Sequence, residues 1–463
     1  MALNIVIMAA GKGTRMRSAR PKVLHALAGQ ALLQHVLEAA AGLGAERTIV
    51  VTGHGGDAVE RQMAGAGLAF VRQEPQLGTG HALQQAVPLL DSDSDSDGDT
   101  TLILNGDVPL IESGTLRALV DACAGTRLAL LTVHLDDPRG YGRIVRSASG
   151  HAIEAIVEDK DATAAERAIR EIYTGAMAAP TGALRRWLAA LRNDNAAGEF
   201  YLTDVVAMAV AEGVEVVGTT AGSETEVLGV NSAAQLADLE RRHQRATAER
   251  LMTEGVRLAD PARLDVRGEL VCGSDVEIDI GCIFEGRVAL GDGVRVGAYC
   301  VLRNASVAAG ATLRPFTHID GEGLGASVGT GASVGPFARL RGGAVLGDDV
   351  HVGNFVEVKN ATLGAGAKAN HLAYIGDATL GARVNFGAGA IVANYDGARK
   401  HRTVIGDDAH IGSNAVLVAP VAVGAGATVG AGSTIARDAP AGQLTVARAR
   451  QASLAGWKRP TKG

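Results

Sequence analysis

Residues 328–358 read VGTGASVGPFARLRGGAVLGDDVHVGNFVEV, and an aliphatic residue returns in this stretch at every sixth position. The recurring residues are Val328, Val334, Leu340, Leu346, Val352 and Val358. A helix, with about 3.6 residues per turn, does not have this period, and neither does a strand that alternates every second residue. A six-residue unit fits a short strand and a corner, with one inward aliphatic side chain on each face. The stretch therefore predicts a parallel β-helix in which three units close one coil.

The six-residue period also occurs on both sides of this stretch. Shorter runs precede it, and the period resumes afterwards at Ile405, Ile411, Leu417, Val423, Val429 and Ile435. Between Val392 and Ile405 the step widens to thirteen residues, and the excess is a polar segment that starts at Asn394 and Tyr395. Insertions in a solenoid form loops that project from one face and often bind a ligand. A tolerated polar loop without a function is the alternative.

The flat faces of such a stack leave apolar surface exposed in a single copy. The repeat half is therefore expected to associate closely with further copies of the chain.

Length, composition and charge narrow the class of protein. With 463 residues the chain has room for two or more domains, and its 61 glycines and 3% aromatic residues favour tight turns. A net charge of -6 gives no basic footprint, so we expect no nucleic-acid partner. No apolar run approaches the about 18 residues of a membrane span, and Met1 to Met8 leads into a strand rather than a signal peptide. We therefore expect no membrane insertion and a cytoplasmic location.

The cysteines show no pattern that points to a metal or redox site. Cys123, Cys272, Cys282 and Cys300 form no C-x-x-C pair and have no His partner at zinc spacing. We predict that all four are buried thiols. The acidic run Asp93 to Gly98 copies the opening of a calcium loop, but Leu104 stands where the bidentate Glu is needed. A solvated acidic loop is therefore expected there.

The first 230 residues alternate between strand and helix patterns. Leu3 to Met8, Thr48 to Thr52 and Thr101 to Leu104 are apolar strands, and Ala31 to Leu43 has the pattern of a helix. This alternation predicts a largely parallel sheet with ligands at the carboxyl ends of its strands. Residues 233–251 contain neither Gly nor Pro and predict one long linking helix.

Three segments that could contact a ligand follow elements of this half. They are AAGKGTRM at 9–16, QEPQLGTG at 73–80 and NGDVP at 105–109. Glycine-rich backbone can close on an anion, and Arg15 with Lys22 adds positive charge for phosphates. The glycine spacing is neither that of the Walker loop nor that of the dinucleotide fingerprint. We expect Gly106 to let a ligand lie close, and Asp107 to offer a hard oxygen to Mg²⁺ bridging phosphates.

These motifs, together with Pro21-Lys22-Val23-Leu24, resemble those of the sugar-nucleotidyltransferase superfamily. With the repeats attached, the chain from Ile5 to about Pro460 resembles the bifunctional bacterial N-acetylglucosamine-1-phosphate uridyltransferase and glucosamine-1-phosphate N-acetyltransferase family. The resemblance implies acetyl transfer from acetyl-CoA to glucosamine-1-phosphate, then uridyl transfer from UTP to N-acetylglucosamine-1-phosphate with release of pyrophosphate. The product would feed peptidoglycan and lipopolysaccharide precursors.

The resemblance also implies a domain organisation. A Rossmann-like α/β nucleotidyltransferase domain is expected over residues 1–230, a linking helix over 231–252, and a left-handed parallel β-helix acetyltransferase domain over 253–463. Proteins of this β-helix type are commonly trimers, so the resemblance implies a homotrimer formed through the β-helix.

In the first domain the resemblance assigns Arg15 and Lys22 to holding and activating UTP, and Asp107 and Asn231 to Mg²⁺. The residues implied to bind UTP and the amino sugar are Met8, Ala9, Ala10, Gly11, Lys22, Gln73, Gly78, Thr79, Asn105, Gly106, Asp107, Gly142, Glu158, Tyr173 and Asn231. Two positions depart from the family pattern. Tyr173 stands where the family usually has Asn as a sugar contact, and Asn105 stands where it tends to have Tyr.

In the β-helix the resemblance assigns the acetyltransferase base to His371, because a protonated amine cannot attack a thioester and imidazole titrates near neutral pH. The implied contacts of glucosamine-1-phosphate are Arg341, Lys359, Tyr374 and Asn385. Those of acetyl-CoA are Ala388, Asn394, Tyr395, Ser413, Ala431 and Arg448. The family site is assembled from neighbouring subunits, and the tail Trp457-Lys458-Arg459 is expected to close over a partner's site.

Two alternatives remain open from the sequence. One is a nucleotidyltransferase for another sugar phosphate with a regulatory β-helix, and the other is a set of repeats that serves only as a trimerising scaffold. The first predicts a repeat half without a base and anion anchors, whereas His371, Lys359 and Arg341 are all present. Release of free thiol from acetyl-CoA with glucosamine-1-phosphate would separate both alternatives from the bifunctional interpretation.

Overall fold

The computed structural model describes residues 2–65, 67–90 and 98–460. The acidic run Asp93 to Gly98 lies outside these residues apart from Gly98. The chain divides into two compact units, Met1–His243 and Gln244–Gly463. One continuous helix, Ala233–Thr253, contains the boundary between them, and the division predicted at residues 230 and 252 stays a prediction.

The first unit is built on a mixed sheet. Its strands are β1 Leu3–Ala9, β2 Ala26–Leu27, β3 Gln30–Ala31, β4 Arg47–Thr52, β5 Leu68–Arg72, β6 Thr100–Asn105, β7 Leu128–His134, β8 Gly142–Arg146, β9 Ile153–Val157, β10 Glu171–Pro180 and β11 Val216–Thr220. The strand order is β11-β7-β10-β6-β1-β4-β5, with the β8–β9 hairpin added at β10. Strands β1, β4, β5 and β6 are parallel, as predicted, whereas β10 runs antiparallel to both β6 and β7.

The helices of this unit are α1 Leu32–Ala41, α2 Gly56–Gln62, α3 Thr79–Gln84, α4 Ser113–Cys123, α5 Ala164–Arg167, α6 Thr181–Ala190 and α7 Asp204–Ala211, with short 3-10 turns at Thr14–Met16, Lys22–Leu24, Val87–Leu89 and Thr225–Val227. Helix α8 Ala233–Thr253 leads into the second unit, where its Ala248 and Leu251 are part of the core. Helix α1 buries Leu32, Leu33, Val36 and Ala40, a spacing that places one side of the helix on the sheet. It is shorter than the predicted Ala31 to Leu43, because Gly42 and Gly44 close the turn after it.

The second unit is a β-helix whose strands form three ladders of parallel pairs. Face 1 contains β12 Arg257–Leu258, β14 Glu277–Ile278, β16 Arg295–Val296, β18 Thr312–Leu313, β21 Ser333–Val334, β24 His351–Asn354, β27 Lys368–His371, β30 Asn385–Phe386, β33 His410–Ile411, β36 Thr428–Val429 and β38 Leu444–Thr445.

Faces 2 and 3 branch from three long strands, β13 Leu264–Cys272, β15 Cys282–Leu290 and β17 Val301–Val307. Face 2 continues with β19 His318–Asp320, β22 Arg339–Arg341, β25 Glu357–Lys359, β28 Tyr374–Gly376, β31 Ile391–Ala393, β34 Val416–Val418 and β37 Thr434–Ile435. Face 3 continues with β20 Ala326–Val328, β23 Val345–Leu346, β26 Thr362–Leu363, β29 Ala378–Leu380, β32 Thr403–Ile405 and β35 Val421–Val423.

The recurring aliphatic residues of the sequence fill the inside of these coils. Val334, Leu340 and Leu346 are at most 2% exposed, and they lie one on each face. The six-residue step shortens to five between Val358 and Leu363 and between Ile375 and Leu380. Asn360 and Asp377 occupy these tighter corners with φ of 45° and 47°. Asn and Asp adopt this left-handed conformation more readily than most residues, so they let the corner close with one residue fewer.

An exposed aromatic column runs along the corner between faces 1 and 2. Tyr299, Phe316, Phe337 and Phe355 stack with ring centroids 5.3, 4.9 and 5.5 Å apart, and each side chain is about half exposed. This column is apolar surface of the kind that the solenoid pattern predicts for one copy. Across the described part of the chain, no helix is both long enough and apolar enough to cross a membrane.

The four cysteines are free thiols. Burial raises the pKa of the Cys282 thiol to about 12 and that of Cys300 to about 11. Cys123 is also buried, but Cys272 is partly exposed, so the prediction of four buried thiols is wrong for that residue. Cys272 is the last residue of β13, at the first coils of the β-helix, where no earlier strand of its face covers it.

Candidate active sites

Two adjoining cavities lie at the carboxyl ends of β1 and β6 in the first unit. One has a volume of about 430 Å³ and is lined by residues of the first two glycine-rich segments, and the other has a volume of about 280 Å³. Met8, Thr79, Asn105 and Asp107 line both cavities. A ligand with two parts, one in each cavity, would therefore have its junction next to Asp107.

Three polar side chains meet at this junction. The Lys22 ammonium forms an ion pair with the Asp107 carboxylate and donates a hydrogen bond of 3.1 Å to Oδ1 of Asn231. The backbone holds the same arrangement, since the N–H of Val230 donates to the carbonyl of Asp107 at 2.9 Å. The structure thus brings together three residues that are far apart in sequence. One oxygen atom of Asp107 and one of Asn231 face the Lys22 ammonium. Carboxylate and amide oxygens are hard donors that also suit Mg²⁺.

The larger cavity contains the predicted nucleotide-binding residues. Its lining includes Met8, Ala9, Ala10, Gly11, Lys22, Gln73, Gly78 and Thr79. Gly13 lies in the loop beside it with φ of 59°, and a Cβ there would lie 2.9 Å from Cβ of Lys22. Glycine at this position therefore lets the loop fold closely against Lys22.

Gln73 holds the second glycine-rich segment together. Its side chain is buried, and its Nε2 donates to the carbonyl of Gly78 at 2.8 Å. Gly78 must itself be glycine, because its φ is 108° and a Cβ would lie 2.6 Å from the carbonyl oxygen of Phe200. The Thr79 hydroxyl accepts a hydrogen bond of 3.1 Å from the N–H of Leu202. These contacts fix the shape of the segment before any ligand binds.

The smaller cavity contains the predicted sugar-binding residues. Gly142, Glu158, Tyr173 and Asn231 line it, and so does Arg15. The Thr203 hydroxyl donates to Glu158 at 3.0 Å, and burial raises the pKa of the Glu158 carboxyl. A partly buried carboxylate in a cavity is suited to accept hydrogen bonds from sugar hydroxyl or amide groups.

The two positions that depart from the family pattern face this same cavity. Asn105 ends β6, and Tyr173 lies on β10, the neighbouring antiparallel strand. The Tyr173 hydroxyl is buried and has no hydrogen-bond partner within the described residues. A Cβ on Gly175 would lie 2.0 Å from Nδ2 of Asn105, so glycine there makes room for the Asn105 side chain. Both side chains therefore help to shape the wall of the smaller cavity.

Gly106 lines neither cavity. A Cβ there would lie 3.2 Å from Cδ1 of Leu33 and 3.4 Å from Cγ1 of Val23. The carbonyl oxygen of Met8, a residue that lines both cavities, would lie 3.3 Å from the same Cβ, and the expectation that Gly106 lets a ligand lie close stays a prediction. Sequence reasoning also missed several lining residues, namely Lys12, Gln76, Arg139, Tyr141, Leu202, Thr203 and Gln235. Lys12 and Gln76 lie inside the quoted motifs, whereas Thr203 and Gln235 have no motif signal.

In the second unit the predicted base and most predicted acetyl-CoA residues form one column. This column lies at the corner after face 1 and contains Asn354, His371, Ala388, Ser413 and Ala431 in successive coils. Each step is held by a backbone hydrogen bond, from Gly389 N–H to the His371 carbonyl at 3.1 Å, for example, and from Asn414 N–H to the Ala388 carbonyl at 2.8 Å. Arg448 extends the column, since its guanidinium donates to the Ala431 carbonyl at 2.7 Å.

His371 is exposed, and its Nδ1 lies 2.8 Å from Oδ1 of Asn354. In the coils that follow His371, the column continues with Ala388, Ser413 and Ala431. These small side chains leave an open surface beside the imidazole. The arrangement places a solvent-accessible imidazole next to an open strip of surface along the column.

Face 2 contains three of the four predicted sugar-phosphate contacts. Arg341 is paired with Glu357 at 3.1 Å and with Glu322 at 3.5 Å, and the hydrogen bond that its guanidinium donates to Glu357 is the main cause that raises the pKa of Arg341. Lys359 follows one coil later and has no ion-pair partner within residues 98–460. A Cβ on Gly376 would lie 2.4 Å from the Tyr374 hydroxyl, so the tyrosine ring uses the space that this glycine leaves.

The polar insertion between Val392 and Ile405 forms a closed loop that is anchored to the coil. The Asn394 side chain is buried and donates to Oδ2 of Asp377 at 2.5 Å. Within the loop, Asp396 accepts from the N–H groups of Ala398 and Arg399 and from His401. Tyr395 is 61% exposed and its hydroxyl donates to the Gly397 carbonyl at 2.6 Å. Tyr395 is thus presented to solvent, whereas the side chain of Asn394 is committed to the coil.

One chain does not gather all the predicted acetyltransferase residues at one place. His371 lies at the corner after face 1, Lys359 and Tyr374 on face 2, and Tyr395 on the loop after face 2. Asn385 lies on face 1 itself, in a column with Lys368 and His410. A complete site made from these residues therefore needs more than one face of the solenoid.

The fold and the sites together define the class of protein, in which a nucleotidyltransferase domain is followed by a hexapeptide-repeat transferase domain. Residues 5–254 match the MobA-like NTP transferase domain family, residues 266–369 the GMPPB C-terminal domain, and residues 402–437 the bacterial transferase hexapeptide family. With the parallel ladders, the hexapeptide match confirms the predicted left-handed parallel β-helix and the α/β nucleotidyltransferase domain before it.

Whole-chain relatives then give the family. The chain is 71% identical to the bifunctional protein GlmU of Methylibium petroleiphilum, with 99% of each chain covered. It is 64% identical to that of Acidovorax sp. (strain JS42), covering 100% of this chain and 99% of the relative, and 60% identical to that of Azoarcus sp. (strain BH72), covering 99% and 100%. The chain belongs to the family of bifunctional GlmU proteins, and the predicted combination of uridyltransferase and acetyltransferase is confirmed.

Proposed function

We propose that the first unit joins the phosphate of N-acetylglucosamine-1-phosphate to the α-phosphorus of UTP with pyrophosphate as the leaving group. The observation that carries this assignment is the pair of adjoining cavities with Asp107, Lys22 and Asn231 at their junction. The nucleotide occupies the larger cavity and the amino sugar the smaller one. The two reacting groups then meet where the charged residues converge.

The residues of the first unit act by positioning and by neutralising charge, because phosphoryl and nucleotidyl transfers need no protein nucleophile. Backbone N–H groups of residues 9–11 face the phosphates, and Lys22 with Arg15 offsets their negative charge. Gln73, Gly78 and Thr79 contact the base of the nucleotide. Gly142, Glu158 and Tyr173 contact the sugar.

Mg²⁺ is the cofactor that the donor set fits. Asp107 and Asn231 would hold it, since they supply the carboxylate and amide oxygens that already face the Lys22 ammonium. When bound, the ion supplies positive charge to the phosphates of UTP and to the departing pyrophosphate. Lys22 would then move from Asp107 toward the phosphates, where its charge is needed.

In the second unit His371 acts as the base for acetyl transfer. Its imidazole takes a proton from the amine of glucosamine-1-phosphate, and the amine nitrogen attacks the thioester carbonyl of acetyl-CoA. A C–N bond forms, the C–S bond breaks, and the proton leaves with the thiolate of coenzyme A. Arg341, Lys359, Tyr374 and Asn385 bind the sugar phosphate. Acetyl-CoA runs along the column from Ala388 to Ala431, with Tyr395 and Arg448 beside it.

The active assembly is a homotrimer that completes the acetyltransferase site between copies. This assignment is supported by the separation of the site residues on different faces and by the exposed aromatic column. The tail Trp457-Lys458-Arg459 contacts the site of a neighbouring copy. Both co-substrates, UTP and acetyl-CoA, are metabolites of the cytoplasm, so the cytoplasm is the proposed location.

Two assays on one sample test the assignment of the two sites. Release of free thiol from acetyl-CoA with glucosamine-1-phosphate reports acetyl transfer, and release of pyrophosphate from UTP with N-acetylglucosamine-1-phosphate reports uridyl transfer. His371→Ala should lower thiol release at least about 100-fold, whereas pyrophosphate release stays unchanged. His318→Ala, an exposed histidine on face 2, is the matched control and should retain both activities. Loss of both activities in His371→Ala would show misfolding and leave the base unassigned.

A complementation experiment tests the shared site. His371→Ala and Asn385→Ala are each expected to be inactive in acetyl transfer. If the two residues reach one site from different copies, co-refolding of the two variants restores part of the activity, because some sites receive an intact residue from each copy. Sedimentation measures the number of copies. No recovery from a mixture shown to contain hybrid trimers would place both residues in one chain's site.

A further inference from the structure

The partner of the His371 imidazole is a neutral side chain in the preceding coil. Oδ1 of Asn354 lies 2.8 Å from Nδ1 of His371, and the two residues are a register pair of β24 and β27. We infer that Asn354 is a positioning residue for acetyl transfer, which fixes the tautomer and the direction of the His371 ring. This inference rests on the proposed role of His371 as the base.

A carbonyl oxygen can only accept a hydrogen bond, so the Nδ1 atom that faces Asn354 carries the proton. The lone pair of the neutral ring is then on Nε2, on the side of the ring away from Asn354. Because proton transfer needs a base whose lone pair points at the substrate, the hydrogen bond selects the productive tautomer before substrate binds. Without this acceptor the ring could rotate and the proton could occupy either nitrogen.

The β-helix holds this pair rigidly. The Leu372 N–H donates to the Asn354 carbonyl at 3.1 Å, and the Gly389 N–H donates to the His371 carbonyl at 3.1 Å. A Cβ on Gly353 would lie 2.0 Å from the Asn370 carbonyl oxygen, so this glycine allows the two coils to approach closely just before the pair. The backbone hydrogen bonds therefore fix the Cα positions of Asn354 and His371, and the pairing of β24 with β27 sets the distance between the two side chains.

Among the described residues, no titratable side chain forms a hydrogen bond or an ion pair with the ring. The charged and titratable residues on the strands of the two coils are His351 and Lys368 on face 1 and Arg339, Arg341, Glu357, Lys359 and Tyr374 on face 2. Within the described residues, Asn354 is the hydrogen-bond partner of the imidazole. A neutral amide also does not hold the proton on the ring as strongly as a carboxylate would, so the imidazolium can release it to the leaving thiolate.

Three variants of Asn354 test the inference, each measured for both activities in the full-length protein. Asn354→Ala removes the acceptor, and Asn354→Leu removes it while keeping a similar side-chain volume. Both should lower kcat for acetyl transfer by about 10- to 100-fold, with KM for acetyl-CoA changed less than about twofold. Uridyl transfer and the melting temperature should stay at the wild-type values.

Asn354→Asp restores an acceptor and is the rescue variant. Its kcat should return to within about fivefold of the wild type, and the acid limb of the kcat profile should move to higher pH by about one unit, because a carboxylate stabilises the charged ring. A role in packing alone would not move this profile. Wild-type kcat in both Asn354→Ala and Asn354→Leu would overturn the inference, as would an unshifted profile in Asn354→Asp. Retained acetyl transfer in His371→Ala would instead overturn the proposed function.

Discussion

The side-chain nitrogen of Asn394 lies 2.5 Å from a carboxylate oxygen of Asp377, and both side chains are buried. The other oxygen of the same carboxylate accepts from Asn360 at 2.5 Å. One buried acid thus connects the insertion loop to a tight corner of the preceding coil. The loop is held in place by the solenoid, although its outer residues are exposed.

Asp377→Ala should loosen this loop. The change leaves two amide groups without their acceptor and should cost about 1–3 kcal/mol of stability. We expect a lower melting temperature and a several-fold higher KM for acetyl-CoA, because Tyr395 is carried by the loop, while uridyl transfer is unchanged. Asp438→Ala, in which an exposed carboxylate accepts one backbone N–H at 2.8 Å, is the control. Equal effects of the two substitutions would contradict a specific role of Asp377.

Asp107→Ala should abolish the metal-dependent uridyl step and leave acetyl transfer intact. Of the three described side chains that meet at the junction, Asp107 alone has a negatively charged oxygen, so its removal weakens Mg²⁺ binding most. Pyrophosphate release and Mn²⁺ binding followed by electron paramagnetic resonance check the expectation. Asp57→Ala, whose carboxylate forms a surface ion pair with Arg72, is the control. Normal Mn²⁺ affinity in Asp107→Ala would remove this residue from the metal site.

Tyr173→Phe tests whether the buried phenol contacts the sugar. Its hydroxyl has no partner within the described chain, so a ligand atom in the smaller cavity is the group that would satisfy it. We expect KM for N-acetylglucosamine-1-phosphate to rise about 5- to 10-fold, which corresponds to one hydrogen bond of about 1 kcal/mol. Tyr201→Phe, outside both cavities, should leave KM unchanged. A stabilised Tyr173→Phe protein with unchanged KM would mean that the hydroxyl remains unpaired in the complex.

Sugar binding should weaken at acid pH through Glu158. Burial raises the pKa of this carboxyl, so on acidification it is protonated before an exposed glutamate. The folded protein then binds this proton more tightly than the unfolded chain, and the contribution of Glu158 to stability increases as the pH falls. KM for the sugar phosphate, measured between about pH 5 and 8, should rise on the acid side. Glu158→Gln should flatten that rise, and an unchanged pH dependence in this variant would assign the effect to another group.

The buried thiols of Cys282 and Cys300 should resist alkylation in the native protein. Because burial raises the pKa of Cys282 to about 12 and of Cys300 to about 11, almost no thiolate is present at about pH 8. We expect iodoacetamide to leave both residues unmodified in the native protein and to modify them after unfolding, as mass spectrometry would show. Cys272, which is partly exposed, should react first. Rapid native labelling of Cys282 would contradict its position inside the first coils.

Features formed by residues close together in the sequence could be predicted, whereas features that depend on residues far apart could not. The six-residue period and the strand–helix alternation are local patterns, so they predicted the β-helix and the nucleotide-binding sheet. The loops after β1 and β6 were also visible, because their glycines and charges lie together in sequence. The five-residue corners at Asn360 and Asp377 were missed, because one skipped position does not break a pattern of small and apolar residues.

By itself, the sequence determined the two folds, the order of the domains and the residue types that each reaction needs. Only the tertiary structure decided which of those residues meet. It brought Lys22 between Asp107 and Asn231, and it set Asn354 against His371 at 2.8 Å. The physical reason is that contacts between side chains depend on strand register and coil length, and these are fixed by long-range pairing that no local pattern contains.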